Sequence, residues 1–187
     1  MKSLNHKIYT FFLLFILLLT MGMKCKKDET GIEALPPATQ EGKNTFGCLV
    51  NGEAFTPKGS TLGGPILSSF YQFIDRPSGT GFYFNISASN KQSELIKGIS
   101  LNAENTIIAE GNKYILKGDR LFSSFSILKL DKTDKFSTTD LFRGELYISK
   151  FDESKQIVSG TFWFDAVNEK GEKVEVREGR FDLKYVQ

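Results

Sequence analysis

The sequence predicts an all-β domain, an antiparallel meander of about eight to ten strands forming a barrel or a sandwich, set behind an apolar leader and a polar linker. Three observations carry that expectation. From Thr45 onward, short runs of Phe, Val, Ile, Thr and Tyr alternate with polar residues at period two. The runs are separated by Gly, Asn, Asp and Lys at the short intervals that tight turns need. Nowhere in that region is a helical period sustained.

In chain order the leader comes first. Lys2, His6 and Lys7 precede an uncharged run of 16 residues from Ile8 to Met23. This is the charged-then-apolar pattern of a secretory signal peptide, shorter than the roughly 20 residues of a spanning helix. The expected signal peptide is 1–24, with an uncleaved anchor as the plainer alternative. Cys25 stands directly behind it, as in bacterial lipoproteins, whose thiol takes a diacylglycerol and becomes the new N-terminus. Cys25 is therefore the lipidation candidate, since several acyl chains hold a protein to a bilayer where one does not. Lys24 occupies a position where a small residue is usual. That leaves a second reading open, ordinary cleavage near Gly22 with Cys25 free or paired to Cys48.

Residues 25–43 lack apolar periodicity and contain Pro36-Pro37 among several charges, so a disordered tether is expected there. The single domain is expected at 44–187. It opens with TFGCLV, Asn51-Gly52 and EAFT, a hairpin signal because both turn residues tolerate positive φ. Strands follow at 66–74 and 81–89; in the latter Phe82, Phe84, Ile86 and Ala88 share one face, leaving Tyr83, Asn85 and Ser87 to the wet one. The stretch 93–101 reads as strand because Gly98 interrupts a helix, and 112–118 and 120–130 read as two strands joined by Gly118-Asp119. Residues 131–140 read as a polar connection whose three Asp lack the spacing of a calcium loop. The last fifty residues form a three-stranded meander with Leu146, Ile148, Val158, Phe162, Phe164, Ala166, Val174 and Val176 inward. After Gly179 the apolar set moves to Phe181, Leu183 and Tyr185, a change of parity that predicts a β-bulge.

Composition removes several function classes. Six of the 24 basic residues and four of the 22 acids precede Asn44, leaving 18 of each in the domain. Interspersed charge summing to zero makes no nucleic-acid footprint. The only histidine is His6, inside the leader, so no Ser-His-Asp or Cys-His arrangement and no His-ligated metal site can form. Cys48, flanked at period two by Phe46 and Val50, reads as a buried small hydrophobe. Asp165 and Asp182 are the carboxylates a glycosidase would pair, and both are read as lying on the wet side of their strands. The glycine cluster GSTLGGP lacks the Lys-Ser/Thr ending of a phosphate loop. Trp163 faces away from Phe162 and Phe164, so one of these sides lines the interior, as core or as the wall of a ligand cavity.

The opening NTFGCLVNGEAFTPKG and the closing GELYISKFDESKQIVSGTFWFDAVNEKGEKVEVREGRFDLKY resemble the two ends of an uncharacterised family of small Bacteroidota lipoproteins, a domain of unknown function behind a lipoprotein signal and a short linker. Gly160-Thr161-Phe162 and Gly179-Arg180-Phe181-Asp182 are its most specific part, and the resemblance is weak between residues 60 and 135. In that phylum a Lys- and acid-rich stretch after the lipidated Cys resembles a signal for surface export, which Lys27-Asp28-Glu29 fits. The resemblance implies a lipid-anchored all-β protein and carries no activity, cofactor or catalytic residue. The expected function is thus a non-catalytic binding or interaction module, held at the outer membrane, with an envelope protein or a glycan as partner, no cofactor and no metal. The alternative is a secreted hydrolase using carboxylates only.

Overall fold

The computed structural model describes residues 31–75, 79–130 and 132–187. The expected signal peptide 1–24 and the lipidation candidate Cys25 lie outside them. A short 3-10 turn at Gly31–Ala34 leads into twelve strands, and the fold is all-β. They are β1 Thr45–Val50, β2 Glu53–Phe55, β3 Lys58–Gly59, β4 Leu67–Ile74, β5 Gly81–Lys91 and β6 Ile96–Ala103. The second half holds β7 Lys113–Leu116, β8 Leu121–Leu128, β9 Thr133–Ser137, β10 Gly144–Asp152, β11 Ile157–Val167 and β12 Lys173–Lys184.

Two leaves emerge from the pairing. One runs β7-β10-β11-β12-β1-β2, the other β9-β8-β6-β5-β4, with β3 added to the end of β5 as a parallel pair. They are joined at two corners by single bridges. Val167 at the end of β11 pairs with Ser137 of β9, and Val186 beyond β12 pairs with Phe70 of β4. The sheet is therefore not a closed barrel but sandwich-like, which decides between the two expected architectures and corrects the barrel. The physical reason lies in β11: from Ile157 to Phe164 its edge is already occupied by β10, leaving only its last residue for β9.

Ten of the twelve strands are the expected ones. Asn51 and Gly52 have φ of 49° and 84°, as the β1–β2 hairpin turn requires. The two unexpected strands are β3 and β9. β9 lies in the stretch read as a polar connection; Phe136 inserts into the core 6.0 Å from the Phe125 ring while Lys135 faces solvent. One apolar residue in five gave too little periodicity to reveal it. Likewise β7 and β8 follow each other in sequence without pairing: β7 pairs with β10, and β8 sits between β6 and β9.

The core is one cluster filled from both leaves, including Phe84, Ile86, Leu101 and Phe125 on one side and Phe46, Cys48, Leu146, Phe162 and Phe164 on the other. Burial follows period two at nearly every expected residue. Tyr83, expected on the wet face, is an exception: it is buried, and its hydroxyl donates to the Gly79 carbonyl at 2.8 Å.

The β11–β12 ladder explains the two glycine motifs. Gly160 sits opposite Phe181 and Gly179 opposite Phe162, with Thr161 and Arg180 between them. A Cβ on Gly160 would fall 2.7 Å from the Phe181 ring, and one on Gly179 would fall 2.6 Å from the Phe162 ring. Each glycine thus leaves space for the other motif's phenyl ring. The predicted bulge lies beside this pair. Phe162 and Phe164 of β11 oppose Gly179 and Val176 of β12, and β1 shows the same step between Gly47 and Leu49. The extra residue falls within Arg177–Gly179, with Glu178 at φ 54°. Arg177 closes the irregularity, its Nη1 donating to the carbonyls of Phe164 and Val176 at 3.1 and 2.9 Å.

Phe164 is fully buried, whereas Asp165 beside it is half-exposed and ion-paired to Arg177 at 2.6 Å. In urea titrations Phe164→Ala is expected to cost about 3–5 kcal/mol, and Asp165→Asn at most about 1 kcal/mol, as for other exposed ion pairs. A larger loss from Asp165→Asn would reverse this assignment of faces. Gly160→Ala is expected to destabilise by at least about 1–3 kcal/mol, because its Cβ would clash with the Tyr147 carbonyl of β10 as well as with the Phe181 ring, measured by the same titration.

Candidate functional site

The residues singled out from the sequence separate widely in space. Cys48 is buried and unpaired, and burial pushes its thiol well above the ordinary range. It is a core hydrophobe and no nucleophile, since the thiolate is the reactive form. Asp165, Trp163 and Arg177 gather on the outer face, where the guanidinium lies 5.5 Å from the indole centroid of a half-exposed Trp163. Among the described residues no group of three His, Cys, Asp or Glu is placed to hold a metal ion.

Asp182 corrects the reading that put it on the wet side. It does point away from Phe181 and Leu183, yet it is completely buried, because residues 39–43 lie across it. Its carboxylate accepts from Thr39 Oγ1 at 2.6 Å, from the backbone N–H groups of Glu41, Gly42 and Lys43 at 3.0, 2.6 and 3.2 Å, and from Ser159 Oγ at 2.8 Å. Burial alone would raise the pKa. The hydrogen bonds outweigh it and hold the group at about 2. The described part of the expected tether, 31–43, is accordingly a strap bound to the domain, with Leu35 buried as a second fastening. A carboxylate is isolated in sequence from donors some 140 positions earlier, so no local pattern could disclose it.

The strap also builds a wall. A cleft of about 760 Å³ opens where β1 and the end of β12 meet the start of β4. Leu35 and Pro36 of the strap, Phe46, Ile66, Leu67 and Leu183 give it an apolar lining, and the 56–66 loop closes one side. Glu33 and Lys184 are its charged residues, and both are exposed. Ser69 also lines it, and its Oγ is buried with no hydrogen-bond partner among the described residues. Sequence reasoning missed this site. The available signal was a serine at an inward position of β4, in phase with Leu67 and Tyr71.

Asp182 stabilises the fold when ionised. Because its folded pKa is lowered, its contribution is present above the unfolded value of about 3.9 and is lost as pH falls toward about 2. Asp182→Asn is expected to lose roughly 2 kcal/mol or more at neutral pH. It should also flatten the stability profile between pH 4 and pH 2 and speed tryptic cutting at Lys43. Parallel acid profiles for wild type and variant would refute the assignment.

A family model described as a domain of unknown function, DUF6252, matches residues 78–182. No curated protein and no solved structure matches the chain. The match spans the middle of the domain, where the resemblance looked weak, and stops short of the opening 44–59, where it looked strong. It includes both glycine motifs and Asp182, while every residue named in the cleft lies outside it. With more than half its length matched, the chain belongs to the DUF6252 family of domains of unknown function.

Proposed function

We propose that this protein is a non-catalytic binding module, held to the outer membrane by acyl chains on Cys25, and that its ligand enters the cleft of Phe46, Leu67, Ser69 and Leu183. The observation that supports this reading most is the cleft itself. Its size falls within the roughly 300–1,000 Å³ of small-molecule sites, its buried wall is apolar, and one polar group is left unpartnered. Converging carboxylates would have favoured a hydrolase. Instead Asp182 is consumed by the strap, and Asp165, farther along the same outward face, is ion-paired to Arg177. A glycan or an envelope protein would use the outer face around Trp163, where Arg177 already covers the ring and pairs with Asp165. The cleft is the better candidate because nothing in the described chain fills it.

Anchoring gives the cleft a position. From Cys25 to Gly31 the chain can span at most about 22 Å, and Glu33 to Pro36 then form the cleft wall. A protein anchored at Cys25 therefore carries the cleft mouth close to the lipid surface, and Lys27-Asp28-Glu29 is the proposed surface-export signal in that short span.

Two measurements test the reading. The neutral dye N-phenyl-1-naphthylamine is expected to brighten with wild-type protein and to stay dim with Ile66→Trp and Thr45→Trp, substitutions at two lining residues meant to fill the cleft, each checked for a wild-type far-UV spectrum and cooperative melting. No brightening in wild type would remove the cleft as a site. Radiolabelled palmitate is expected in the wild-type chain and absent from Cys25→Ser; label in both, or in neither, would sink the anchor.

A further inference from the structure

We infer that the cleft takes a neutral single-chain amphiphile from the adjoining bilayer, with an uncharged oxygen of the ligand hydrogen-bonded to Ser69. The inference rests on the cleft reading above and adds the chemistry of the ligand. The buried serine hydroxyls of Ser69 and Ser123 lack a partner among the described residues, and Ser69 is the one that belongs to the lining of this cleft; its Oγ is covered, so a ligand oxygen reaches it by displacing the neighbouring lining. A buried hydroxyl without a partner is costly, so a ligand that supplies one gains more than the same contact made in water. A hydroxyl both donates and accepts, which suits an alcohol or an ester carbonyl equally.

Charge decides against ionic heads. Along the wall lie the buried Leu35, Phe46 and Leu183 and the partly buried Leu67, and the charged pair at the cleft, Glu33 and Lys184, is exposed and of opposite sign. An ionised head placed at Ser69 would lose its hydration with no counter-charge to replace it. The apolar wall suits an alkyl chain, because the gain on burial grows with apolar area and needs no directional partner. The source follows from the tether: about 22 Å of chain at most separates Cys25 from the strap, and the strap ends as the wall of the cleft.

The test uses the mature chain loaded with N-phenyl-1-naphthylamine. Dodecanol is expected to displace the dye at concentrations at least tenfold below those of dodecyl sulfate or dodecyltrimethylammonium. Ser69→Ala is expected to weaken dodecanol about 2- to 10-fold, the loss of one hydrogen bond, with a melting temperature equal to or above that of wild type. Protein incubated with phosphatidylcholine vesicles containing monododecanoylglycerol and then re-isolated should carry that lipid, and Ile66→Trp should not. Equal potency of the charged detergents, unchanged dodecanol affinity in Ser69→Ala, or no lipid carried from vesicles would each overturn the inference while leaving dye binding, and so the cleft, intact. Failure of the dye to bind at all would instead overturn the cleft reading.

Discussion

The bulge at Arg177–Gly179 is the constraint on which the rest of the structure depends. Before it the even-numbered residues Val174 and Val176 face the core, and after it the odd-numbered Phe181, Leu183 and Tyr185 do. Without the extra residue Asp182 would point into the core and Phe181 out of it, because a one-residue shift exchanges the two faces of a strand. With it, the Phe181 ring occupies the space above Gly160, and Phe162 that above Gly179. Packing and register therefore specify each other, and a side chain at either glycine would disturb both.

Turning Asp182 outward has a second consequence. An outward carboxylate on a bare sheet would be solvated, like Asp165, and exposed pairs such as Asp165–Arg177 contribute only about 0.2–1 kcal/mol. Asp182 is covered instead, and a covered charge is tolerable only when its hydrogen-bonding capacity is met. Three successive backbone N–H groups and two hydroxyls meet it. The strap is thus fixed by electrostatics at 39–43 and by burial of Leu35, and its segment from Glu33 to Pro36 forms part of the cleft wall.

The family match and the cleft divide the molecule. The matched 78–182 contains the bulge, the glycine–phenyl ladder and Asp182, all of them reasons for folding. The cleft is lined by the strap, β1, the 56–66 loop and the beginning of β4, outside the matched segment. A shared frame with a separately elaborated site is a common division of labour, since fold and function need not be carried by the same residues.

The fold class, ten of the twelve strands, the Asn51-Gly52 turn and the bulge near Gly179 were all legible in the sequence, because each leaves a trace in neighbouring residues. Period-two alternation, turn chemistry and a parity change are local signals. Other features rest on long-range contacts that leave no such trace. Whether the strands close into a barrel depended on which neighbour claimed the edge of β11, and β10 claimed nearly all of it. Asp182 looked like any surface acid because four of its five donors lie some 140 residues away. The same distance hid the strap, whose composition is that of a free linker and whose order comes from a carboxylate at the far end of the chain. Ser69 acquired meaning only when Phe46, Leu183 and the strap came together around it, since an unpaired hydroxyl is a property of surroundings that no strand pattern records.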